Sequence, residues 1–166
     1  MRRTIILRVV GAIVAFYVVM ALVALALRRL IPSIGDETSD EIALAAAGRG
    51  IELKSRAAAF RGGSARAIMG GLQLDLREAT LAPDGARLEV RAIMGGAEIL
   101  VPEAWPLRII AARGLMGGVD YPEAAKAATD VDGPVLELSL LAIMGGIEVK
   151  AQAPDSDPQA VPTTRG

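Results

Sequence analysis

One four-residue unit, an apolar residue followed by Met-Gly-Gly, recurs through the chain and limits the folds open to it. The clear copies end at Gly71, Gly96, Gly118 and Gly146. A degenerate copy lies upstream, where AAGRGIELK (46–54) aligns with AIMGGIEVK (142–150) and Gly50 takes the place of Gly146. The intervals between successive second glycines are 21, 25, 22 and 28 residues. Self-similarity at this period is typical of a solenoid or another stacked array.

The alternation of apolar residues changes phase at each Gly-Gly. Before Gly95-Gly96, Leu88 and Val90 occupy even positions, and after it Ile99 and Val101 occupy odd ones. Because strand side chains alternate between two faces, this slip would expose the second apolar set unless the chain bends there. Glycine tolerates such a bend. The sequence therefore predicts a corner between two short strands at each Gly-Gly, with the preceding Met packed inward.

Equivalent outward residues of stacked copies should form rows. One row comprises Glu52, Gln73, Glu98, Asp120 and Glu148, and another comprises Arg66, Arg91 and Arg113. The acidic row has two interpretations: a solvated face whose charges are partly compensated, or a strip that binds a cation or a basic partner segment. No calcium site is predicted, because Gln73 interrupts the row and Lys54 and Lys150 lie two residues along.

An uncharged run of 19 residues, 9–27, follows three arginines and precedes Arg28-Arg29. As a helix it would measure about 28 Å, close to the hydrocarbon thickness of a bilayer. The run predicts a single-pass transmembrane anchor over 1–31. A cleaved signal peptide with its site at 24–26 is the alternative, although the run is longer than a signal-peptide core. The arginines do not decide on which side of the membrane the rest of the chain lies.

The remainder divides by composition into three parts. Residues 32–41 (PSIGDETSDE) form an acidic linker opened by Pro32. The repeats occupy a β domain over 42–151. Residues 152–166, which contain three prolines and little that is apolar, predict a disordered Pro-rich tail.

These patterns together predict a mainly β fold. Its short strands form a repeat stack of the β-solenoid or β-helix-like kind, with Gly-Gly corners, preceded by the single N-terminal transmembrane helix. A folded-back β-sandwich with the same corners is the structural alternative.

Two segments interrupt the repeat. PEAWP (102–106) holds the one tryptophan, Trp105, and predicts a turn covering an end or edge of the stack, although an exposed Trp would also suit a partner. Residues 120–134 form the longest excursion, with one helical turn predicted over 123–128. Insertions of this kind often lie on a solenoid's interaction face. The candidate partner-binding residues are Trp105, Glu103, Glu98, Asp120 and Glu148.

The composition excludes several functional classes. With neither His nor Cys in 166 residues, disulfides, thiol nucleophiles, His-based catalysis and the usual zinc sites are ruled out. Lys and Arg total 18 against 19 Asp and Glu, so no basic field favours nucleic acid. The pairs Asp75–Glu78 and Glu98–Glu103 are the candidates for a glycosidase, and nothing distinguishes them from surface acids. We expect a non-enzymatic protein without catalytic residues, metal or cofactor.

Four stretches resemble one known family. FRGG (60–63), IMGGLQLDLREA (68–79), IMGGAEILVPEAW (93–105) and IMGGIEVK (143–150) are similar to the C-terminal domain of the cell-wall-active antibiotics response, or LiaF-like, membrane proteins. The resemblance covers roughly 45–150. It implies a β-rich domain attached to the bacterial plasma membrane and a role in envelope-stress signalling, in which members restrain a sensor histidine kinase. It implies no catalytic or ligand residues.

We therefore expect a membrane-anchored regulatory or sensing module that acts through protein–protein contact. A membrane-associated β-solenoid scaffold that associates with itself is the alternative function.

Overall fold

The computed structural model describes residues 2–30, 34–127 and 133–153 of the chain. The chain divides into a helical unit, up to residue 32, and a β unit that follows it. The helical unit is α1, Arg2–Leu30, on which Phe16, Tyr17, Val18 and Val19 are all exposed. Among the described residues, no helix combines the length and the apolarity that crossing a membrane requires. The predicted anchor over 1–31 stays a prediction.

The described part of the β unit contains ten short strands and one short helix. The strands are β1 (Glu41–Ala47), β2 (Ile51–Lys54), β3 (Gly62–Ile68), β4 (Gly71–Asp75), β5 (Ala86–Ile93), β6 (Gly96–Pro102), β7 (Leu107–Leu115), β8 (Gly118–Asp120), β9 (Leu136–Ile143) and β10 (Gly146–Gln152), and the helix α2 (Ala124–Ala127) lies between β8 and β9.

These strands form two five-stranded parallel sheets, in the orders β1-β3-β5-β9-β7 and β2-β4-β6-β10-β8. Each Gly-Gly corner joins a strand of the first sheet to one of the second, and we call such a pair a rung. The predictions of a mainly β fold and of short strands meeting at the corners are confirmed. Every ladder between these strands is parallel, whereas hairpin-connected strands of a sandwich would pair antiparallel.

The rungs do not stack in sequence order. The last rung, β9–β10, lies between β5–β6 and β7–β8. As a result the predicted arginine row is interrupted, because Leu141 pairs with both Arg91 and Arg113.

Both sheets bury their inward side chains in one hydrophobic core. In β5, Leu88 and Val90 are fully buried, and after the corner Ile99 and Val101 of β6 are fully buried as well. The phase change in the sequence therefore corresponds to a bend that keeps both apolar sets inside.

The predicted inward packing is wrong for three of the four corner methionines, and the fourth, Met69, is half-buried. Met94, Met116 and Met144 are exposed, and they share with Met69 a φ of 53°. This value lies in the left-handed region, which an unbranched residue enters at a cost. A residue in that conformation does not follow the in–out alternation of strand side chains. The side chain of Met therefore points away from the core although it is apolar.

The segments flanking the repeats differ in their outcome. Residues 34–40, within the predicted linker, lie against the β unit, where the Ile34 N–H donates to the Ala43 carbonyl (2.8 Å) and the Ala43 N–H donates to that of Ile34 (2.7 Å). The helical turn predicted over 123–128 is confirmed as α2. Gln152 still belongs to β10, and residues 154–166 of the predicted tail lie outside the described residues.

Candidate functional site

A groove of about 970 Å³ crosses the start of every strand in the second sheet. Each rung contributes to its lining a glycine and, two residues later, a polar side chain. The glycines are Gly50, Gly71, Gly96, Gly146 and Gly118, and the polar residues are Glu52, Gln73, Glu98, Glu148 and Asp120. We call this surface the glycine groove.

The acidic row forms one wall of the groove with the members that the sequence predicts. Parallel register places Glu52 beside Gln73, Gln73 beside Glu98, and Glu98 beside Glu148. Asp120 comes last, beside Glu148, since the final repeat is inserted. At about 4.8 Å between strands, the four intervals give a row about 19 Å long.

Lys150 compensates part of this negative charge. Its Nζ lies 2.8 Å from an oxygen of Glu98 and 3.0 Å from one of Glu148. The hydrogen bond to Glu98, followed by that to Glu148, raises the pKa of Lys150 above its ordinary value. Within the described residues no ion pair involves Glu52 or Asp120. Four carboxylates therefore face one ammonium group.

The two glycines of each corner are glycine for different reasons, and the first is required by the fold. A Cβ added to Gly145 would overlap the carbonyl oxygen of Gly95 and lie 3.0 Å from its carbon and nitrogen atoms. The same conflict with a neighbouring rung arises at Gly70, Gly95 and Gly117. Rungs can therefore approach one another at the corner only without a side chain there.

The second glycine, which lines the groove, meets no such restriction. A Cβ added to Gly50, Gly71 or Gly146 would have nothing within 4 Å, and at Gly96 its nearest neighbour would be the Gly146 carbonyl oxygen at 4.0 Å. None of these residues has a φ in the left-handed region. The fold would accept a side chain in the groove, yet all five copies carry glycine. The floor is thereby kept open as bare backbone.

Two of the candidate partner-binding residues lie away from the groove. Trp105 is half-buried and stacks on Phe60, with ring centroids 6.2 Å apart and planes inclined by 24°. Glu103 is exposed in the turn that follows β6. The structure thus brings Glu98, Glu148 and Asp120 together and leaves Trp105 as a cover of the core, the role that the turn PEAWP predicts for it.

Of the four carboxylates considered for glycosidase chemistry, Asp75, Glu78 and Glu98 are held in ion pairs and Glu103 is exposed. Asp75 lies 2.8 Å from Arg77, and burial, which raises the pKa of Asp75, is outweighed by hydrogen bonds from the Arg77 side chain and backbone, so that the pKa is lowered. Hydrogen bonds from Lys54 and then Arg56 lower the pKa of Glu78. A general acid needs the opposite shift. In the described parts of the chain, no group of three or more acidic side chains is arranged to hold a metal ion.

A second cleft, of about 540 Å³, lies beside the first sheet. Arg61, Arg87 and Arg108 line it, together with Asp84 and Glu137. Glu137 already binds Arg87 at 2.8 Å and Arg108 at 3.5 Å. Because its cations are largely engaged, this cleft is a weaker candidate than the glycine groove.

Comparison of the chain with protein-family models, curated proteins and solved structures gave no match. The similarity to LiaF-like proteins is thus a resemblance of sequence motifs.

The sequence contained one signal for the groove that its interpretation missed. In the four clear copies the contact between rungs requires only the first glycine, yet each copy has two. The excess glycine marks the floor. The sequence places Lys150 two residues along from the acidic row, but it does not predict the contact with Glu98, which lies 52 residues away.

Proposed function

We propose that the chain is a non-enzymatic, membrane-anchored regulatory module that binds an extended, basic segment of a protein partner in the glycine groove. The observation that carries this proposal is the second-glycine row, where nothing in the fold demands glycine. Removing side chains from a surface lets another backbone or side chain approach closely. The repeat stack itself is a β-solenoid with one inserted rung.

The length and charge of the acidic row fit this kind of ligand. A row of about 19 Å accommodates about six residues of extended chain at roughly 3.3 Å per residue. Four carboxylates against Lys150 leave a negative strip, which favours lysine or arginine side chains in the bound segment.

The helix α1 supports the membrane part of the proposal. Its exposed side chains include four consecutive apolar residues, 16–19, and consecutive helical residues point in directions 100° apart. An exposed apolar surface of this kind is better suited to hydrocarbon than to water. The uncharged run over 9–27 has the length that a single bilayer crossing needs.

The resemblance to LiaF-like proteins adds a biological setting. In that setting the chain lies in a bacterial plasma membrane, acts in cell-envelope stress signalling, and has a sensor histidine kinase as its partner. Cells that carry an envelope-stress reporter test this part: loss of the chain should change the reporter response, and an unchanged response would contradict the signalling role.

Binding is tested with a defined probe, a fluorescein-labelled peptide of alternating lysine and valine. The full-length chain in neutral detergent should raise the fluorescence anisotropy of the peptide saturably, and added salt should weaken binding through screening. A peptide with glutamate in place of lysine should not bind.

A matched pair of variants locates the binding. Glu98→Gln removes a charge from the groove and frees Lys150 from one partner, so it should weaken peptide binding about tenfold, equivalent to about 1.4 kcal/mol. Glu89→Gln removes the same charge from β5 in the first sheet, where Glu89 pairs with Arg91, and should leave binding unchanged. Equal effects of the two variants would place the ligand elsewhere.

The alternative, a self-associating scaffold, is favoured by one observation. The terminal rung β7–β8 is largely exposed, which gives the stack a surface where a further strand can add.

A further inference from the structure

The two ends of the stack differ in how well they are covered. At the β1–β2 end, residues 34–40 lie beside β1 through the hydrogen bonds between Ile34 and Ala43, and the inward side chain of Ile42 is 2% exposed. At the β7–β8 end, α2 packs against β7, yet Leu115 is 59% and Met116 79% exposed. The edge of β1 is therefore partly covered, whereas at the β7–β8 end large apolar side chains stay exposed.

The β7–β8 end also presents unpaired backbone. β7 pairs with β9 and β8 pairs with β10, and in the described part of the chain neither has a strand on its other side. The N–H and C=O groups of β7 that point away from β9 therefore have no partner strand among the described residues, and they lie beside exposed apolar side chains such as Leu115. An edge of this kind is a template for another strand.

We propose that two copies of this chain associate through their β7–β8 ends, related by a two-fold axis, to form one continuous stack. The β7–β8 end of a second copy is a suitable partner for this end, because it has a strand edge with unpaired backbone groups and exposed apolar side chains. At the other end, residues 34–40 lie against β1 and only the short β2 keeps an unpaired edge in the described structure. Association through two β7–β8 ends therefore stops at a dimer, whereas a head-to-tail contact would grow into a filament.

The charges at the β7–β8 end fit contact between two copies. Arg113 lies in β7 and Asp120 in β8, both are exposed, and within the described residues neither belongs to an ion pair. In a two-fold dimer, the β7–β8 end of each copy, which carries Arg113 and Asp120, faces the same positive and negative charges on its partner. This end is therefore electrostatically complementary to itself.

The test measures the mass of the full-length chain in detergent by multi-angle light scattering, with the detergent contribution subtracted. Wild type should be a dimer. Met116→Glu should weaken association at least about tenfold, since an unpaired carboxylate is costly in an apolar interface. The matched control is Met94→Glu, at the equivalent corner of an inner rung, with the same φ of 53° and an exposure of 49%. This control should remain dimeric.

A charge exchange separates a specific interface from general loss of folding. Arg113→Asp and Asp120→Arg should each weaken the dimer, and the two changes together should restore it. Unchanged Trp105 fluorescence should show that each variant is folded. A monomeric wild type, or a Met116→Glu variant as dimeric as Met94→Glu, would overturn the proposal; the second result would assign association to another surface, such as α1.

Discussion

Replacement of adjacent glycines in the inserted rung should have opposite effects on stability. In Gly145→Ala the new Cβ would overlap the Gly95 carbonyl oxygen, the same atom that accepts a hydrogen bond from the Gly146 N–H at 3.1 Å. The rungs must separate to relieve this overlap. Overpacking costs about 1–3 kcal/mol and a lost backbone hydrogen bond about 1 kcal/mol, so we expect a loss of about 2–4 kcal/mol.

Gly146→Ala should instead be neutral or stabilising. No atom lies within 4 Å of the added Cβ, and alanine reduces the conformational entropy of the unfolded chain. Such replacements stabilise by about 0.4–1 kcal/mol. The two variants should therefore differ by about 2–5 kcal/mol, the sum of the opposite effects.

Urea unfolding of the full-length chain in detergent, followed by fluorescence of the one tryptophan, Trp105, measures this difference. The controls are wild type and Gly96→Ala, and both should unfold at similar urea concentrations. In Gly96→Ala the atom nearest to the new Cβ would be 4.0 Å away. Equal destabilisation by Gly145→Ala and Gly146→Ala would refute the distinction between the two glycines of a corner.

Three further changes test other parts of the structure. Arg77 lowers the pKa of Asp75, so the ionised carboxylate stabilises the fold above its unfolded pKa of about 3.9, and this contribution is lost as pH falls through the lower folded pKa. Asp75→Asn should therefore reduce stability at pH 7 and make stability depend less on pH in the acid range. An unchanged pH dependence would count against the ion pair. Trp105→Ala should cost about 2 kcal/mol, since it removes the stack on Phe60, as measured by circular dichroism on unfolding. Met94→Asn should raise the urea midpoint by an amount equivalent to up to about 1 kcal/mol, because asparagine tolerates the φ of 53° better; a lower midpoint would show that Met94 packing outweighs backbone strain.

The corners and the acidic row could be predicted from the sequence because both follow from local periodicity. A strand alternates with period two, so the slip between Val90 and Ile99 is visible without a structure, and equal spacing from each glycine puts Glu98 beside Glu148. The order in which the rungs stack could not be predicted from local periodicity. Each copy presents similar strand edges, so a single repeat does not specify the level at which β9–β10 inserts.

The exposure of the methionines and the difference between the glycines could not be predicted for another reason. Hydropathy assigns Met to the core, whereas the conformation at φ 53° removes it from the strand alternation. The need for Gly145 arises from Gly95, a residue of another rung. The first fact depends on a backbone angle that hydropathy does not report, and the second depends on a contact between two rungs, which a single repeat does not contain.

The most direct test of whether the glycine groove is a binding surface is the affinity of Gly146→Ala for the lysine–valine peptide. It is compared with the affinity of wild type, after urea unfolding has shown that the variant is at least as stable. The added methyl group changes no charge and meets no neighbouring atom within 4 Å, so an effect on binding would come from the floor of the groove. We expect affinity to fall about tenfold, equivalent to about 1.4 kcal/mol, with no loss of stability. Unchanged affinity in a stably folded variant would contradict binding against the glycine row.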